Sequence, residues 1–386
     1  MSNAVSPELI KTVVLLATSV TIVPLFKRIG LGSVLGYLVA GCLIGPSVFG
    51  MIEDAESVLH MAELGVVMFL FIIGLEMHPE RLWAMRKAIF GRGFLQVGLC
   101  GALLTFAGIY ILNLPKEVAF IAGMGFTLSS TAIVMQVLEE RGITNTPKGQ
   151  RVISTLIFED LSIVPLLASI AFLTPETKHI EHQTNWTSIA IALGAVVGLV
   201  VAGKWLMNPI FRLISKAHIR EMMTAAALLV VLGAALAMEA CGLSLAMGAF
   251  VAGVMLSESA FRHQLEADIE PFRGLLLGLF FMGVGMSLDL TLVFDNALWL
   301  LGIVCLYIIG KALAVYTVAR ITKLDRKESA GRMTIMAHGG EFAFVLFSAA
   351  TTAGVMTKDQ NATFTAAVII RKVFILSGLK APQFSS

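Results

Sequence analysis

The stretch STLIFEDLSIVPLLAS, residues 154–169, decides what kind of fold this chain adopts. It has the apolar character of a membrane-spanning helix, yet Glu159 and Asp160 stand side by side near its middle. Ionisable side chains at that depth are costly in hydrocarbon, so each one marks a candidate functional site. This interpretation holds only if the rest of the chain also belongs in a membrane.

The composition is that of an integral membrane protein. Of the 386 residues, 57% are apolar and only 14% are charged, whereas soluble domains carry about 25% charged residues. The net charge of +2 is too small to indicate nucleic-acid binding. The four cysteines lie in apolar runs without CxxC spacing, which indicates packed thiols rather than disulfides or a metal site.

Apolar segments recur along almost the entire chain. A membrane span needs about 20 apolar residues, and thirteen segments approach that length, the last of them interrupted by charge. They cover residues 9–26, 31–50, 58–77, 89–113, 117–138, 152–173, 187–211, 222–240, 243–257, 272–288, 296–319, 333–354 and 361–379. We therefore expect one transmembrane domain at 1–380, followed by a short tail at 381–386.

The charges between these segments predict how the chain crosses the membrane. With the N-terminus outside and alternating spans, most of the 28 lysines and arginines fall in loops on the inner side. That is the positive-inside pattern, and it places the C-terminus in the cytoplasm if the last segment spans. The loop at 174–186 separates six segments from a seventh, so the two groups of six would run in opposite orientations, as in transporters built from inverted repeats.

Four ionisable residues lie deep within predicted spans: Glu159, Asp160, Lys311 and Glu341. Lys311 is the basic residue at a depth comparable to the acidic pair, so we expect an ion pair between Glu159 and Lys311. Asp160 would then remain as the carboxylate that binds either a proton or a metal cation. In an alternative interpretation, the three residues form a fixed charge cluster that only pins the helices together.

Two further segments favour an interruption of the helix at mid-span. They are GFTLSSTAIVMQ, residues 125–136, and MAHGGEFAFVLF, residues 336–347. Hydroxyls and glycines at that depth allow a helix to unwind around a cavity, where freed backbone carbonyls bind ions. The residues concerned are Ser129, Ser130 and Thr131 in the first segment, and Gly339, Gly340 and Glu341 in the second.

The chain resembles the Kef-type glutathione-gated potassium efflux systems of the monovalent cation:proton antiporter-2 family. The resemblance rests on LGSVLGYLVAGCLIGP, GVVMFLFIIGLEMHPERLW, LSSTAIVMQ, HQLEADIEPFRGLLLGLFFMGVGMS and GGEFAFVLF, in this order between about residues 10 and 350. It implies an all-α membrane protein of about thirteen helices in two inverted six-helix repeats, with two crossed discontinuous helices and a homodimeric assembly. It also implies Asp160 as the ion-binding acid, Lys311 as a charge-compensating lysine, and helix breaks at 129–131 and 339–341.

The stretch RHQLEADIEPFR, residues 262–273, resembles the regulatory loop of that family and falls on the inner side of the predicted topology. The resemblance implies that Glu266, Asp268 and Glu270 contact a cytoplasmic nucleotide-binding domain that senses glutathione, or an ancillary subunit. The chain contains no glycine-rich nucleotide-binding unit, so no cofactor is expected within it. Without the resemblance, these acidic residues indicate only a solvated loop.

Two features depart from the family pattern. Kef-type proteins usually carry Gln before the ion-binding Asp, where this chain carries Glu159, and an acid pair is typical of two-carboxylate sodium/proton antiporters. The segment RKVFILSGLKAPQFSS, residues 371–386, does not resemble the last helix of the family, because Arg371 and Lys372 interrupt its apolar run.

The expected function is exchange of potassium for protons across the bacterial inner membrane by alternating access. Asp160 would bind the cation or the proton, Glu159 and Ser129–Thr131 would complete the site, and Lys311 and Glu341 would balance its charge. The alternatives are a sodium/proton antiporter and a ligand-gated potassium channel. Enzymatic activity is not expected, since neither a GxGD motif around Asp160 nor an HExxH motif occurs. A purely structural or sensory membrane protein would show no cation-dependent titration of Asp160.

Overall fold

Helices make up the computed structural model of this chain, which describes residues 7–29, 32–52, 55–77, 86–174, 220–241, 244–288 and 290–378, with isolated positions between 194 and 211. Within these residues no extended strand occurs. Helices are the expected outcome for so apolar a chain, because a bilayer offers no water to satisfy backbone N–H and C=O groups.

The N-terminal half of the described chain contains seven principal helices. A short helix at Arg86–Ala88 and a π-helical turn at Ile89–Gly93 lead directly into the fourth of them. The helices are α1 (Pro7–Arg28), α2 (Ser33–Ile44), α3 (Ala55–Glu76), α4 (Phe94–Tyr110), α5 (Lys116–Thr127), α6 (Thr131–Glu140) and α7 (Pro147–Leu173).

The C-terminal half continues in the same way. A short helix at Leu290–Asp295 precedes a long apolar helix at Ala297–Ile321. The principal helices in the described part are α8 (Arg220–Ala240), α9 (Leu245–Leu256), α10 (Arg262–Met286), α11 (Ala297–Ile321), α12 (Arg326–Ile335), α13 (Phe342–Thr352) and α14 (Lys358–Gly378).

Six helical stretches of the described part are long and apolar enough to cross a membrane by length and composition. They are Leu9–Arg28, Ile89–Tyr110, Pro147–Ile170, Glu221–Ala240, Arg262–Met286 and Ala297–Ile321. Several other apolar helices are only 10–17 residues long, and most of the predicted segment 187–211 lies outside the described residues. The count of thirteen spans therefore stays a prediction.

The chain forms two compact units. The first comprises residues 1–53, 85–166 and 284–386, and the second comprises residues 54–84 and 167–283. Helices α4–α6 and α11–α14, together with most of α7, belong to the first unit. Every residue that the sequence predicts for the ion site therefore lies in one unit.

An aromatic cluster forms part of the core of the first unit. The rings of Phe126 and Tyr307 stack with their centroids 4.1 Å apart. Phe347 and Phe364 contact the same Phe126 ring, with centroid distances of 5.9 and 6.2 Å. These contacts join α5, α11, α13 and α14 beside the point where α5 ends, so the end of α5 is held by packing on several sides.

The second unit is built around a close contact between α3 and α9. A Cβ atom added to Gly74 would lie 2.3 Å from the Phe250 carbonyl oxygen, and one added to Gly253 would lie 2.1 Å from that of Phe71. Small residues are what allow two helix backbones to approach this closely. Substitution of either glycine would force the two helices apart.

The prediction of a loop at 262–273 is wrong, because these residues form the first turns of α10. Leu265 and Ile269 are fully buried in the core of the second unit. Their spacing of four residues puts both on one face of a helix. The polar character of the stretch concealed this apolar stripe.

Candidate functional site

Two helices of the first unit are each interrupted and divided into two halves. The two interruptions cross each other. The first break separates α5 from α6 and the second separates α12 from α13, both within the stretches that the sequence singled out. Ser129 and Gly339 form an isolated antiparallel bridge between the breaks. The Gly340 N–H donates to the Leu128 carbonyl at 3.1 Å. The two breaks thus satisfy part of each other's backbone.

The two glycines of the second break have different surroundings. A Cβ atom on Gly340 would lie 2.7 Å from the Ser129 carbonyl oxygen, so the crossing requires glycine at that position. A Cβ atom on Gly339 would meet its nearest neighbour, Arg371 Nη1, only at 3.7 Å, which is ordinary van der Waals contact. Only Gly340 is therefore required for the close approach of the two backbones.

Glu159 is buried, with 1% of its surface exposed. Its Oε1 atom accepts a hydrogen bond from Gln96 Nε2 at 2.9 Å. Its Oε2 atom accepts one from the Ser129 backbone N–H at 2.7 Å. The first acid of the pair is therefore bound to the break between α5 and α6 and to a side chain of α4.

Lys311 is fully buried, and it binds the first break rather than Glu159. Its ammonium group donates to the Leu128 carbonyl at 3.1 Å and to Ser129 Oγ at 2.9 Å. The expected ion pair is wrong in its direct form, since within the described residues no ion pair joins Lys311 to Glu159. Ser129 bridges the two charged groups. Its N–H donates to the Glu159 carboxylate, and its hydroxyl oxygen accepts from the Lys311 ammonium group.

Asp160 lies in a different environment from its neighbour, because it is only half-buried. The Thr131 hydroxyl donates to its carboxylate, with both oxygens 3.0 Å away. Glu341, also half-buried, accepts from the Ser130 hydroxyl at 3.3 Å. The first break therefore supplies a hydroxyl to each of two half-buried carboxylates.

Arg371, which in the sequence looks only like a disruption of the last helix, lies at the site. It is fully buried, and its Nε and Nη1 atoms donate to the carbonyls of Ala337 and Phe126, each at 3.1 Å. These carbonyls border the two breaks, so Arg371 satisfies backbone groups that the interruptions leave free. Its position inside an apolar run is the signal that could have identified it.

Gln96 and Arg332 were also missed. Arg332 is 4% exposed, and its Nη2 atom donates to Gln96 Oε1 at 2.9 Å and to Thr155 Oγ1 at 2.6 Å. Gln96 in turn binds Glu159, so Arg332 is connected to the acidic pair through one amide. An uncharged amide and an arginine near a predicted segment end carry little signal in a sequence.

The residues predicted for the regulatory contact lie in the second unit, on α10. Glu266 and His263 approach within 3.8 Å, and so do Glu270 and Arg273, each pair spaced three residues apart along the helix. Asp268 lies between them on the chain. Contact of these residues with a regulatory domain stays a prediction.

Comparison with known proteins identifies the family. Residues 14–382 match the family model described as sodium/hydrogen exchanger, transmembrane. The chain belongs to this family. The exchanger match extends well beyond residue 350, so the last helix, which looked foreign in sequence, lies within it. No cluster of three or more His, Cys, Asp or Glu side chains suited to a metal ion occurs in the part of the chain that the structure describes.

A curated relative agrees with the sequence resemblance. The chain is 78% identical over 374 residues to a Haemophilus influenzae protein named a glutathione-regulated potassium-efflux system protein. The match covers 97% of this chain and 60% of that protein. The resemblance to the Kef-type systems is thus confirmed, and this exchanger chain spans about three fifths of the length of its relative.

Solved structures show the same fold. The chain matches the sodium proton antiporter MjNhaP1 from Methanocaldococcus jannaschii at pH 8 with a TM-score of 0.66 and 17% identity, over 96% of this chain and 94% of that one. An electron-microscopy structure of MjNhaP1 gives a TM-score of 0.65 with 16% identity, covering 98% and 96%. The sodium/proton antiporter fold is confirmed. The names of the family and of the curated relative indicate an integral membrane transporter.

Proposed function

We propose that this exchanger moves a monovalent cation, potassium in the first instance, out of the cell in exchange for protons by alternating access. The observation that carries the proposal is the placement of Asp160. Its carboxylate is half-buried, bound by the Thr131 hydroxyl, and adjacent to the crossing of two interrupted helices.

A single carboxylate can couple two ions because it binds either of them but not both. A proton neutralises the Asp160 oxygens covalently, whereas a cation needs them charged and needs further oxygen ligands. The hydroxyls of Ser130 and Thr131, with backbone carbonyls freed at the breaks, are ligands of the kind that hard cations prefer. Mutual exclusion at Asp160 then converts a proton gradient into cation movement.

The choice of potassium rests on the name of the Haemophilus influenzae relative. Sodium is the second candidate, because Glu159 completes an acid pair and MjNhaP1, which shares the fold, is a sodium antiporter by name. Proton uptake driven by potassium and by sodium, measured side by side in proteoliposomes, separates the two. A cation flux that continues without proton movement would instead favour a channel.

The setting of the proposed exchange is the bacterial inner membrane, with the N-terminus outside and the C-terminus in the cytoplasm. We expect a homodimer, and a cytoplasmic nucleotide-binding domain or ancillary subunit that contacts Glu266, Asp268 and Glu270. Glutathione and nucleotide would bind that partner. Co-purification of this chain with such a domain, tested against a chain whose three acids are changed to neutral amides, would check the contact.

Substitution of Asp160 tests the proposal directly. Asp160→Asn keeps the shape of the side chain but cannot bind a proton at neutral pH, so cation-driven proton movement in proteoliposomes should fall to the level of empty vesicles. Asp359→Asn is the matched control, because Asp359 is exposed at the start of α14. Exchange that persists in Asp160→Asn at the rate of this control would refute Asp160 as the shared site.

A further inference from the structure

We infer that Arg92, Arg151 and Arg332 form a site that binds a phosphate group, in addition to the proposed ion site. The three arginines lie in the first unit but on three different segments: the π-helical turn before α4, the start of α7, and α12. Such a site is independent of which cation is exchanged. It depends on the arginines having more donor groups and more positive charge than the surrounding protein compensates.

The first observation is that Arg332 uses only one of its three guanidinium nitrogens. Its Nη2 atom donates to Gln96 Oε1 at 2.9 Å and to Thr155 Oγ1 at 2.6 Å. Its Nε and Nη1 atoms are buried and have no hydrogen-bond partner among the described residues. Buried donors without an acceptor are costly and rare, and the Arg332 side chain is only 4% exposed. These two nitrogens therefore point to a ligand with accepting oxygens.

Arg151 lies beside Arg332, as two sets of contacts show. Its guanidinium group binds the carboxylate of Glu328, which precedes Arg332 by one turn of α12. Thr155 accepts from Arg332 Nη2 and donates to the Arg151 carbonyl at 3.1 Å. Glu328 is thus bound to Arg151, and the Nε and Nη1 atoms of Arg332 stay without an acceptor.

Arg92 adds a third positive charge. It precedes Gln96 by four residues along one continuous helical stretch, so the two side chains share a face. Gln96 is the residue that Arg332 binds, and Arg92 is close enough for its charge to repel that of Arg332. Within the part of the chain that the structure describes, no acid forms an ion pair with Arg92.

The acids near Arg332 do not balance this positive charge. Glu159 and Glu328 attract Arg332, whereas Arg92 and Arg151 repel it. Each acid also has another partner, because Glu159 binds the first break and Glu328 binds Arg151. Three arginines therefore face two acids that are already engaged. An anion bound among the arginines would reduce their mutual repulsion and accept from the buried donors.

Phosphate is the anion that suits this arrangement. Its oxygens accept charge-assisted hydrogen bonds from arginine, and several oxygens on one group can bind more than one arginine. Arg92 is half-buried and the Arg151 side chain is 24% exposed, so the cluster reaches the protein surface. All three arginines fall on the predicted inner side, where anionic phospholipids attract basic residues. A lipid headgroup is the favoured source of the phosphate, and free phosphate is the second.

Thermal unfolding of the purified full chain in detergent tests the site and its source. Dioctanoyl phosphatidylglycerol and dioctanoyl phosphatidylcholine have the same acyl chains, but only the former has a net negative headgroup. A ligand that binds the folded chain raises the unfolding midpoint, so phosphatidylglycerol should raise it and phosphatidylcholine should not. A rise with inorganic phosphate, compared with sodium chloride at equal ionic strength, would support the site and assign it a soluble ligand. No rise with either anion would overturn the inference.

Two variants test whether the rise comes from this cluster. Arg92→Gln removes one charge and no described ion pair, and the apparent dissociation constant for phosphatidylglycerol should increase about fivefold. Arg332→Lys keeps the positive charge but replaces the planar guanidinium group with a single ammonium nitrogen, and the increase should be about tenfold. If Arg332→Lys fails to fold, Arg92→Gln decides, because its side chain is only half-buried.

The matched control is Arg320→Gln, which removes another arginine from the predicted inner side. Arg320 is exposed at the end of α11 and donates to the Leu324 carbonyl at 2.6 Å. Its loss should leave the dissociation constant for phosphatidylglycerol within about twofold of wild type, since a surface charge outside the site adds only weak attraction. Wild-type binding in Arg92→Gln, or an equal loss in Arg320→Gln, would show that the lipid is held by general basic charge and would overturn the inference.

Discussion

The role of the Thr131 hydroxyl can be tested directly by substitution. Thr131 begins α6, and its hydroxyl is bound to Asp160. Thr131→Val keeps the shape of the side chain but removes the hydroxyl, so the cation loses one oxygen ligand. We expect the half-saturating cation concentration in proteoliposomes to rise about tenfold, corresponding to about 1.4 kcal/mol.

Two variants make this prediction specific. Thr131→Ser retains the hydroxyl and should stay close to wild type. Thr334→Val removes an exposed hydroxyl from α12 that binds only a carbonyl of its own helix, and it should leave cation binding unchanged. If Thr131→Val and Thr131→Ser bind the cation equally well, the hydroxyl is not a ligand.

Single residues also show where sequence reasoning reached its limit. The depth of Glu159 and Lys311 could be predicted, because hydrophobic runs locate charges along a span. Their partners could not be predicted. The Ser129 N–H that binds Glu159 and the Leu128 carbonyl that binds Lys311 are available because the helix is broken there. Gln96 gave no signal, because a neutral amide in an apolar helix is unremarkable until its neighbours are known.

The interrupted helices are the elements that hold the site together. Hydroxyls and paired glycines at mid-span were sufficient to predict both breaks, because these residues lower the cost of leaving a helix. The helical start of α10 was not predicted, since its buried face consists of only Leu265 and Ile269 within a charged stretch. Local composition thus identified interruptions more readily than a short amphipathic extension.

Gly340 supplies a prediction at this scale. In Gly340→Ala the new Cβ atom would lie 2.7 Å from the Ser129 carbonyl oxygen, a backbone atom that cannot move without shifting the first break. Overpacking of this kind costs about 1–3 kcal/mol. We expect a lower thermal unfolding midpoint in detergent and a loss of exchange, because the crossing positions Thr131 and the Ser129 N–H.

Two neighbouring glycines serve as controls. Gly331 lies in the interior of α12 with no atom within 4 Å of an added Cβ, so Gly331→Ala should be neutral or stabilising. Gly339→Ala should be tolerated, because the nearest atom is 3.7 Å away. Equal stability of Gly340→Ala and Gly331→Ala would mean that the crossing adapts to a side chain.

At the scale of the whole molecule, composition was enough to predict a helical membrane protein, and the family match supports that class. The number of spans was harder to check against helix length. A break divides one span into two halves such as α5 and α6, of 12 and 10 residues, and neither half reaches the length of a complete crossing. A hydropathy profile reports the combined apolar run of α5 and α6, whereas a criterion based on helix length considers each half separately.

The orientation of the molecule can be tested with two exposed lysines in the first turns of α5 and α7. Lys116 and Lys148 are both exposed, at the starts of α5 and α7. The positive-inside pattern puts the first outside and the second in the cytoplasm. In intact cells a membrane-impermeant maleimide should label Lys116→Cys above the parent chain but not Lys148→Cys, and both should react after the membrane is opened. The reverse labelling would invert the proposed topology.

The interruption of two helices in one place has an electrostatic consequence of its own. Each helix end carries about half an elementary charge, positive at the amino end and negative at the carboxyl end, because its peptide dipoles are aligned. Lys311 and Arg371 bind carbonyls beside the carboxyl ends of α5 and α12, whereas Asp160 lies at the amino end of α6. These partial charges belong to the backbone and do not change with the ion that is bound. The crossing therefore presents the same positive field to Asp160 whether it holds a proton or a cation, and this field does not favour one ion over the other.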